Sequence, residues 1–237
     1  KVTNKGFGLA LGVKQKIGPV DWKTTLLWSL NRNRIDQLLP EYTNEELGVT
    51  VHLDEMDVYS LGGAKQRLTV GGSMGDVYVN TMRTDEHGHI WMNSMTGTLE
   101  TDKNNYVYAG NTNPKYTLSW RNEFNWKGIS LGFMLNARVG GIGVSATQAV
   151  MDYYGVSKTS AEARDNGGVK VNGQMIDAQT WYQTIGANGT GYVGSMYVYS
   201  MTNGRLGELT LGYDIPINKW CKWISGLNVS FVGRNLW

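Results

Sequence analysis

The chain has 237 residues, with 22 Lys and Arg against 20 Asp and Glu, a formal charge of +2. That balance gives no electrostatic case for nucleic acid, which requires a clear basic excess, and a single cysteine, Cys221, excludes an intrachain disulfide or a cysteine-built metal site. Gly (31), Tyr (13) and Trp (9) are plentiful while Pro (4) is scarce, a profile of strands and loops, and the longest apolar runs, such as Leu26 to Trp28, exclude a transmembrane helix, which needs about 20 apolar residues.

A β-barrel crosses a membrane on half-apolar strands, which hydropathy averages overlook. Period-two alternation is the strongest signal along the chain. From Phe7 one face reads Phe7, Leu9, Leu11, Val13, and the other Gly8, Ala10, Gly12, Lys14. The turn Gly18-Pro19-Val20-Asp21 leads to a second strand with Trp22, Thr24, Leu26, Trp28 and Leu30 on one face and Lys23, Thr25, Leu27, Ser29 and Asn31 on the other. A long connection near 34–115 follows. It carries strand-like pieces at Arg67–Val70, Val77–Asn80 and Ile90–Met92, and a hairpin tip at Asp85-Glu86-His87-Gly88-His89.

The alternation returns with Tyr116, Leu118, Trp120, Phe124 and Trp126 on one face, opposite Thr117, Ser119, Arg121, Glu123, Asn125 and Lys127. Lys127-Gly128 separates this strand from Ile129, Leu131, Phe133, Leu135, Ala137 and Val139, whose opposite face holds Ser130, Gly132, Asn136 and Arg138. A second long connection, near 140–204, has a helical stretch at Thr147–Tyr154 and a capping box at Thr159-Ser160-Ala161-Glu162. Leu209, Leu211, Tyr213 and Ile215, then Leu227, Val229 and Phe231, complete the stripes.

Strands are therefore expected near 5–17, 21–33, 116–126, 129–139, 205–215 and 227–237. Each stripe covers roughly 9–11 residues, enough for a tilted strand to cross a bilayer. Trp22, Tyr116 and Trp126 fall at strand ends, where aromatic girdles form. Tight turns alternate with long connections, the asymmetry of outer-membrane barrels with short periplasmic turns and long extracellular loops. The expected fold class is all-β: a fragment of a large antiparallel transmembrane β-barrel. In this frame Leu26, Trp28, Leu118, Trp120, Leu131 and Phe133 face lipid, and Arg121, Glu123, Asn136 and Arg138 face the lumen, where charge avoids lipid. A soluble carbohydrate-binding β-domain and a passive porin are the alternatives.

Several segments resemble the C-terminal half of SusC-like (RagA-type) TonB-dependent outer-membrane transporters. They are Asn4-Lys5-Gly6, Gly72-Ser73-Met74-Gly75-Asp76-Val77-Tyr78, Asp85-Glu86-His87-Gly88 and Gly110-Asn111-Thr112-Asn113-Pro114-Lys115-Tyr116. Trp126-Lys127-Gly128, Arg138-Val139-Gly140-Gly141, the run from Arg205 to Pro216 and Gly233-Arg234-Asn235-Leu236-Trp237 complete the set. The resemblance rests on their shared order over nearly the whole chain. It implies a barrel of about 22 strands around an N-terminal plug, in the bacterial outer membrane. It also implies active import of an oligomeric nutrient, a glycan or oligosaccharide in the first instance and a peptide in some relatives. The implied partners are a SusD-like surface lipoprotein as lid and the TonB complex, reached through an N-terminal region that these residues do not include. Plug and closing strands are also missing, and six strands are fewer than the roughly 8 of the smallest closed barrel, so the chain reads as an internal portion of a longer protein.

No cofactor, metal or catalytic site is expected. His87 and His89 beside Asp85 and Glu86 read as a polar hairpin tip, and Gly71-Gly72-Ser73-Met74-Gly75 as a turn, since no helix follows to make a phosphate cradle. Neighbouring carboxylates such as Glu45 and Glu46 do not define a glycosidase pair. The sequons Asn188-Gly189-Thr190 and Asn228-Val229-Ser230 read as chance matches. Trp91, Tyr106, Tyr108, Trp181, Tyr182 and Tyr192 fall in the long connections and are the candidates for contact with substrate or lid, because flat rings cover the apolar faces of sugars while their edges hydrogen-bond.

Overall fold

The computed structural model describes residues 1–93, 95, 98–187, 191–217, 221 and 223–236. The Asn188-Gly189-Thr190 sequon and Trp237, the end of the last expected strand, lie outside them. The chain is divided into two compact units, one of residues Lys5–Arg32, Pro114–Gly140 and Met201–Trp237, the other of Lys1–Asn4, Asn33–Asn113 and Gly141–Ser200.

The first unit is a six-stranded antiparallel sheet. Its strands are β1 (Val2–Ile17), β2 (Val20–Ile35), β9 (Tyr116–Trp126), β10 (Ile129–Val139), β15 (Asn203–Ile215) and β16 (Leu227–Arg234), in the order β1-β2-β9-β10-β15-β16. They run where the stripes alternate, and β1 and β2 extend to 16 residues each. An 11-residue strand such as β9 or β10 rises about 37 Å, so it can cross the ~30 Å hydrocarbon core of a bilayer while tilted. Lys127 and Gly128 both take left-handed backbone (φ 48° and 88°), the geometry of a two-residue hairpin turn whose twist matches the strands it joins.

One irregularity re-aims side chains. Met134 pairs with Glu208 while its neighbour Leu135 pairs with Leu206, which leaves Gly207 as an extra residue in β15. A Cβ on Gly207 would stand 2.2 Å from Nδ2 of Asn136, so the bulge has room for glycine alone.

The second unit has its own core. Its central sheet has the order β5-β6-β7-β8, from β5 (Glu55–Leu61), β6 (Ala64–Thr69), β7 (Asp76–Met82) and β8 (Thr101–Asn111). Hairpins are formed by β3 (Leu39–Asn44) with β4 (Val49–Leu53) and by β12 (Val169–Val171) with β13 (Gln174–Ile176), and β11 (Ile142–Val144) pairs with β14 (Val198–Ser200). Helices α1 (Ala146–Tyr153), α2 (Lys158–Asp165) and α3 (Ala178–Ile185) pack with a 3-10 turn at Gly194–Tyr197 around Ala149, Trp181, Ile185, Tyr192, Val193 and Tyr197. A smaller cluster of Ala64, Val77 and Val79 packs against Ile142, Val144 and Val198.

The helices begin at Ser145, Ser157 and Asp177, whose side chains accept from Gln148, Ser160 and Thr180 amides. The expected capping box at Thr159 is therefore displaced by two residues. Ser157 caps the helix, and the hydroxyl of Thr159 is turned to Asp152 at 3.4 Å and to Ser157 at 3.0 Å. Ile90–Met92 forms no strand either; Ile90 and Met92 each make an isolated bridge, to Thr84 and Leu99.

Candidate functional site

The six-stranded sheet carries two chemically opposite faces, and strand register sets both. Leu26 lies opposite Trp120 and Trp28 opposite Leu118 between β2 and β9. Leu131 lies opposite Phe124, and Leu135 opposite Trp120, between β9 and β10. On the far side Leu131 meets Leu211, which meets Phe231 on β16. The six residues expected to face lipid thus share one face. That face stays exposed: Leu131 is 40% accessible, Leu211 55%, Phe7 53% and Phe231 73%. Rings are arrayed along it, with Phe7 edge-on to Trp28 (5.6 Å between centroids), Trp120 edge-on to Phe133 (6.0 Å) and Phe124 stacked between Trp22 and Phe133 (6.3 Å each). Apolar surface of this continuity is costly in water and marks a contact with lipid or protein.

A polar pair interrupts the apolar face. Thr24 and Asn122 lie opposite each other, and two indoles cover them. Trp22 Nε1 donates to Oδ1 of Asn122 at 3.2 Å, and Trp120 Nε1 donates to the Thr24 hydroxyl at 2.9 Å, which in turn donates to the Arg121 carbonyl at 3.3 Å. Asn122 is 1% accessible. Strict alternation from Leu118 and Trp120 already assigns Asn122 to the apolar side, so the sequence contains this signal.

The opposite face is polar. Lys23 pairs with Glu123 (3.6 Å), Glu123 with Arg121 (2.7 Å), Arg121 with Glu208 (3.5 Å), and Glu208 with Arg234 (3.6 Å). Charges alternate in sign across four strands, so each carboxylate is shared by two cations. Of the polar residues expected to face the lumen, Arg121 and Glu123 belong to this ladder. Asn136 and Arg138 lie further along, away from the tight turns, in a concavity of about 540 Å³. Ser29, Thr117, Ser119, Asn203 and Arg205 also line it. The Ser119 hydroxyl donates to Asn136 Oδ1 at 2.8 Å, and the hydroxyls of Ser29 and Thr117 share a 2.9 Å bond.

In the second unit the candidate aromatics are divided. Tyr106 and Tyr108 come together on β8. Lys65 Nζ sits 3.9 Å over the Tyr106 ring, Tyr108 meets Tyr78 edge-on at 5.6 Å, and the Arg67 guanidinium lies 5.2 Å from the Tyr78 ring. Asp57 binds both Lys65 and Arg67 at 2.7 Å, and the Arg67 guanidinium holds its carboxyl below the usual range. Tyr108 is 56% accessible, and its hydroxyl, pushed up chiefly by desolvation, donates to Asp76 at 3.4 Å. Trp91 stands apart under the Arg83 guanidinium at 4.6 Å. Trp181 and Tyr192 are core residues (8% and 0% accessible), closed to outside contact. Tyr182 is half-buried in a cleft of about 170 Å³ with Tyr153 and Tyr154.

The glycine-rich turn uses its amides internally. The Ser73 N–H donates to Asp76 Oδ2 at 2.7 Å and the Met74 N–H to Asn33 Oδ1 at 2.8 Å, so a resident carboxylate and a carboxamide take up the amides that a phosphate would need. At the histidine tip, Asp85 Oδ1 accepts from the backbone N–H groups of His87 and His89 at 2.9 Å each, which lowers its carboxyl. Among the described residues no group of three or more His, Cys, Asp or Glu is arranged to hold a metal, and no helix is long and apolar enough to cross a membrane.

No protein-family profile and no curated protein matches the chain. Solved structures do share its fold. The structure of the RagAB peptide transporter aligns over 100% of this chain and 25% of its own at 15% identity, with a TM-score of 0.61. The RagAB peptide importer in the "open-open" state aligns over the same shares at 15% identity and a TM-score of 0.57. The chain thus spans a quarter of the length of the chains it matches. The likeness and the antiparallel sheet establish the fold class as an all-β fragment of a barrel.

Proposed function

We propose that this chain is part of the barrel wall of a SusC-like, TonB-dependent transporter of the bacterial outer membrane, and that it serves active import of an oligomeric nutrient. The observation that carries this reading is the two-faced sheet, with exposed Leu131, Leu211 and Phe231 on one side and the Lys23–Glu123–Arg121–Glu208–Arg234 ladder on the other. A soluble domain would bury the apolar face, whereas a bilayer covers it without further protein. A passive porin shares that wall, and the plug implied by the family resemblance is what distinguishes an importer from it.

In this reading the apolar face meets lipid, and the polar face meets the plug, water and passing solute. The tight turns lie on the periplasmic side, and the long connections that make up the second unit, the loop unit, are extracellular loops that receive a SusD-like lipoprotein lid. TonB acts through the N-terminal region and displaces the plug. Peptide is the favoured cargo, because both similar structures are described as peptide transporters or importers; a glycan is the alternative.

Purification of the full-length protein from detergent-solubilised outer membranes, followed by mass spectrometry of whatever stays bound, tests the proposal. A stoichiometric lipoprotein with retained oligopeptide is expected. Retained oligosaccharide would correct the cargo, and a full-length protein found only in the soluble fraction would overturn the transporter reading.

A further inference from the structure

Resting on that reading, we infer that Lys5 and Arg32, at the rim of the lipid-facing side away from the tight turns, form a site for the phosphate of an anionic lipid in the outer leaflet. Both residues are exposed, and both belong to the first unit. Strands β1 and β2 are neighbours joined by the two residues between Ile17 and Val20, which sets Ile17 opposite Val20. Carried along the ladder, that register sets Gly6 opposite Asn31, and a Cβ on Gly6 would indeed lie 3.8 Å from the Asn31 Cα. Lys5 then stands directly opposite Arg32.

Alternation places the pair on the apolar side. Phe7, two residues from Lys5, meets Trp28 edge-on at 5.6 Å, and Trp28 lies opposite Leu118. Arg32 follows Trp28 and Leu30 on the same side of β2. From Trp22 to Leu30 the strand rises about 27 Å, and from Phe7 to Ile17 about 34 Å, so the tilted hairpin covers an apolar band of ~25 Å. Lys5 and Arg32 are one step of two residues beyond that band, about 7 Å along the strand. That is the level of the headgroups.

Two cations directly opposite each other on adjacent strands repel. On the polar side carboxylates separate the cations, Glu123 between Lys23 and Arg121, and Glu208 between Arg121 and Arg234. Among the described residues neither Lys5 nor Arg32 has a carboxylate within ion-pair distance. An anion from outside relieves the repulsion, and at this level the membrane supplies one. The guanidinium fork matches two phosphate oxygens, and the ammonium adds a compact charge. Phe7, 53% accessible, lies just below the pair and offers apolar surface to the acyl chains. The arrangement suits an anionic amphiphile better than a free ion.

The test uses the full-length protein in detergent micelles doped equally with dioleoylphosphatidylglycerol and dioleoylphosphatidylcholine, which share their chains and differ in net charge. Native mass spectrometry reads the lipid retained. The wild type is expected to prefer the anionic lipid roughly 25-fold, about fivefold for each cation. Lys5→Gln with Arg32→Gln should abolish the preference, leave phosphatidylcholine retention unchanged and melt no lower, since it removes a repulsion. Arg32→Lys should keep most of the preference. Equal retention of the two lipids by the wild type would overturn the site, as would a preference that survives the double substitution. Displacement of the bound lipid by millimolar inorganic phosphate would assign the pair to the free ion instead. A double variant that keeps its lipid preference but loses a co-purifying lipoprotein would assign the pair to the lid. Failure of the wild type to insert into vesicles would count against the membrane reading itself.

Discussion

Trp22 Nε1 reaches across β2 and β9 to donate to Oδ1 of Asn122 at 3.2 Å, and this bond satisfies the oxygen of a carboxamide that is 1% accessible on a face whose only other polar member here is Thr24. Nδ2 of Asn122 has no hydrogen-bond partner among the described residues, so the side chain depends on the indole for its one bond. Trp22→Phe should therefore destabilise the full-length protein by about 1–3 kcal/mol, the cost of stranding a buried acceptor. Trp22→Phe combined with Asn122→Leu should recover most of that loss, since removing both partners leaves nothing unsatisfied. Denaturant unfolding in lipid vesicles measures it, and strictly additive effects would show that the two residues are not coupled.

The facing of β10 makes a sharper contrast. Leu131 and Phe133 lie on the apolar side and Ser130 on the polar side. If the apolar side meets lipid, Leu131→Arg or Phe133→Arg near the midplane should cost about 2–4 kcal/mol, and Ser130→Arg far less. Equal and small effects of all three on folding in vesicles would mean that the assigned faces do not sort lipid from water.

The six-stranded sheet was legible in the sequence because its side-chain period is two and each face carries one kind of side chain. Leu26, Trp120 and Leu131 are placed by alternation alone, and the register agrees. Alternation from Leu209 toward the amino end of β15 would assign Arg205 to the apolar side, because one unpaired glycine inverts every residue beyond it. No local pattern marks Gly207 as that glycine, since its reason is the Asn136 side chain on another strand. The loop unit was less legible still. Its aromatics are mixed in sequence between core and surface, and Trp181 is buried because it lies on the inward side of α3 with Ile185, four residues on. Tyr192 is buried in the same core, from a loop with no periodicity to read.

The bulge makes its own prediction. Gly207→Ala would drive a methyl group into Nδ2 of Asn136, whose Oδ1 is already held by Ser119 at 2.8 Å. The expected cost is about 1–3 kcal/mol, typical of forced overpacking. Adding Asn136→Ala should relieve most of it, read by the same unfolding assay. A second substitution with no relieving effect would place the strain elsewhere.

Burial separates the loop aromatics by experiment. Trp181→Ala and Tyr192→Ala should each cost the loop unit about 3–5 kcal/mol and open it to limited proteolysis. Tyr108→Ala, at 56% accessible, should leave protease resistance near wild type. If Tyr108 touches lid or cargo, its loss weakens retention of one of them without that unfolding signature. Reduced retention together with equal protease sensitivity in all three variants would mean that the effect is structural.

The β3–β4 hairpin should be tightened by acid. The His52 ring bonds the Pro40 carbonyl through Nδ1 and Asp54 through Nε2, the latter at 2.9 Å. Together they raise its pKa above the ordinary 6.5, the carbonyl contributing more than the carboxylate. A raised pKa in the folded state means that protonation favours the folded pairing. The contribution is complete below pH 6.5 and fades as pH rises through the folded value. Hydrogen exchange over 39–53, corrected for intrinsic rates, should show more protection at pH 6 than at pH 8. Asp54→Asn should shrink that difference without abolishing it, because the Pro40 carbonyl remains, and His52→Gln should remove it. A difference that persists in His52→Gln would locate the titrating group elsewhere in the loop unit.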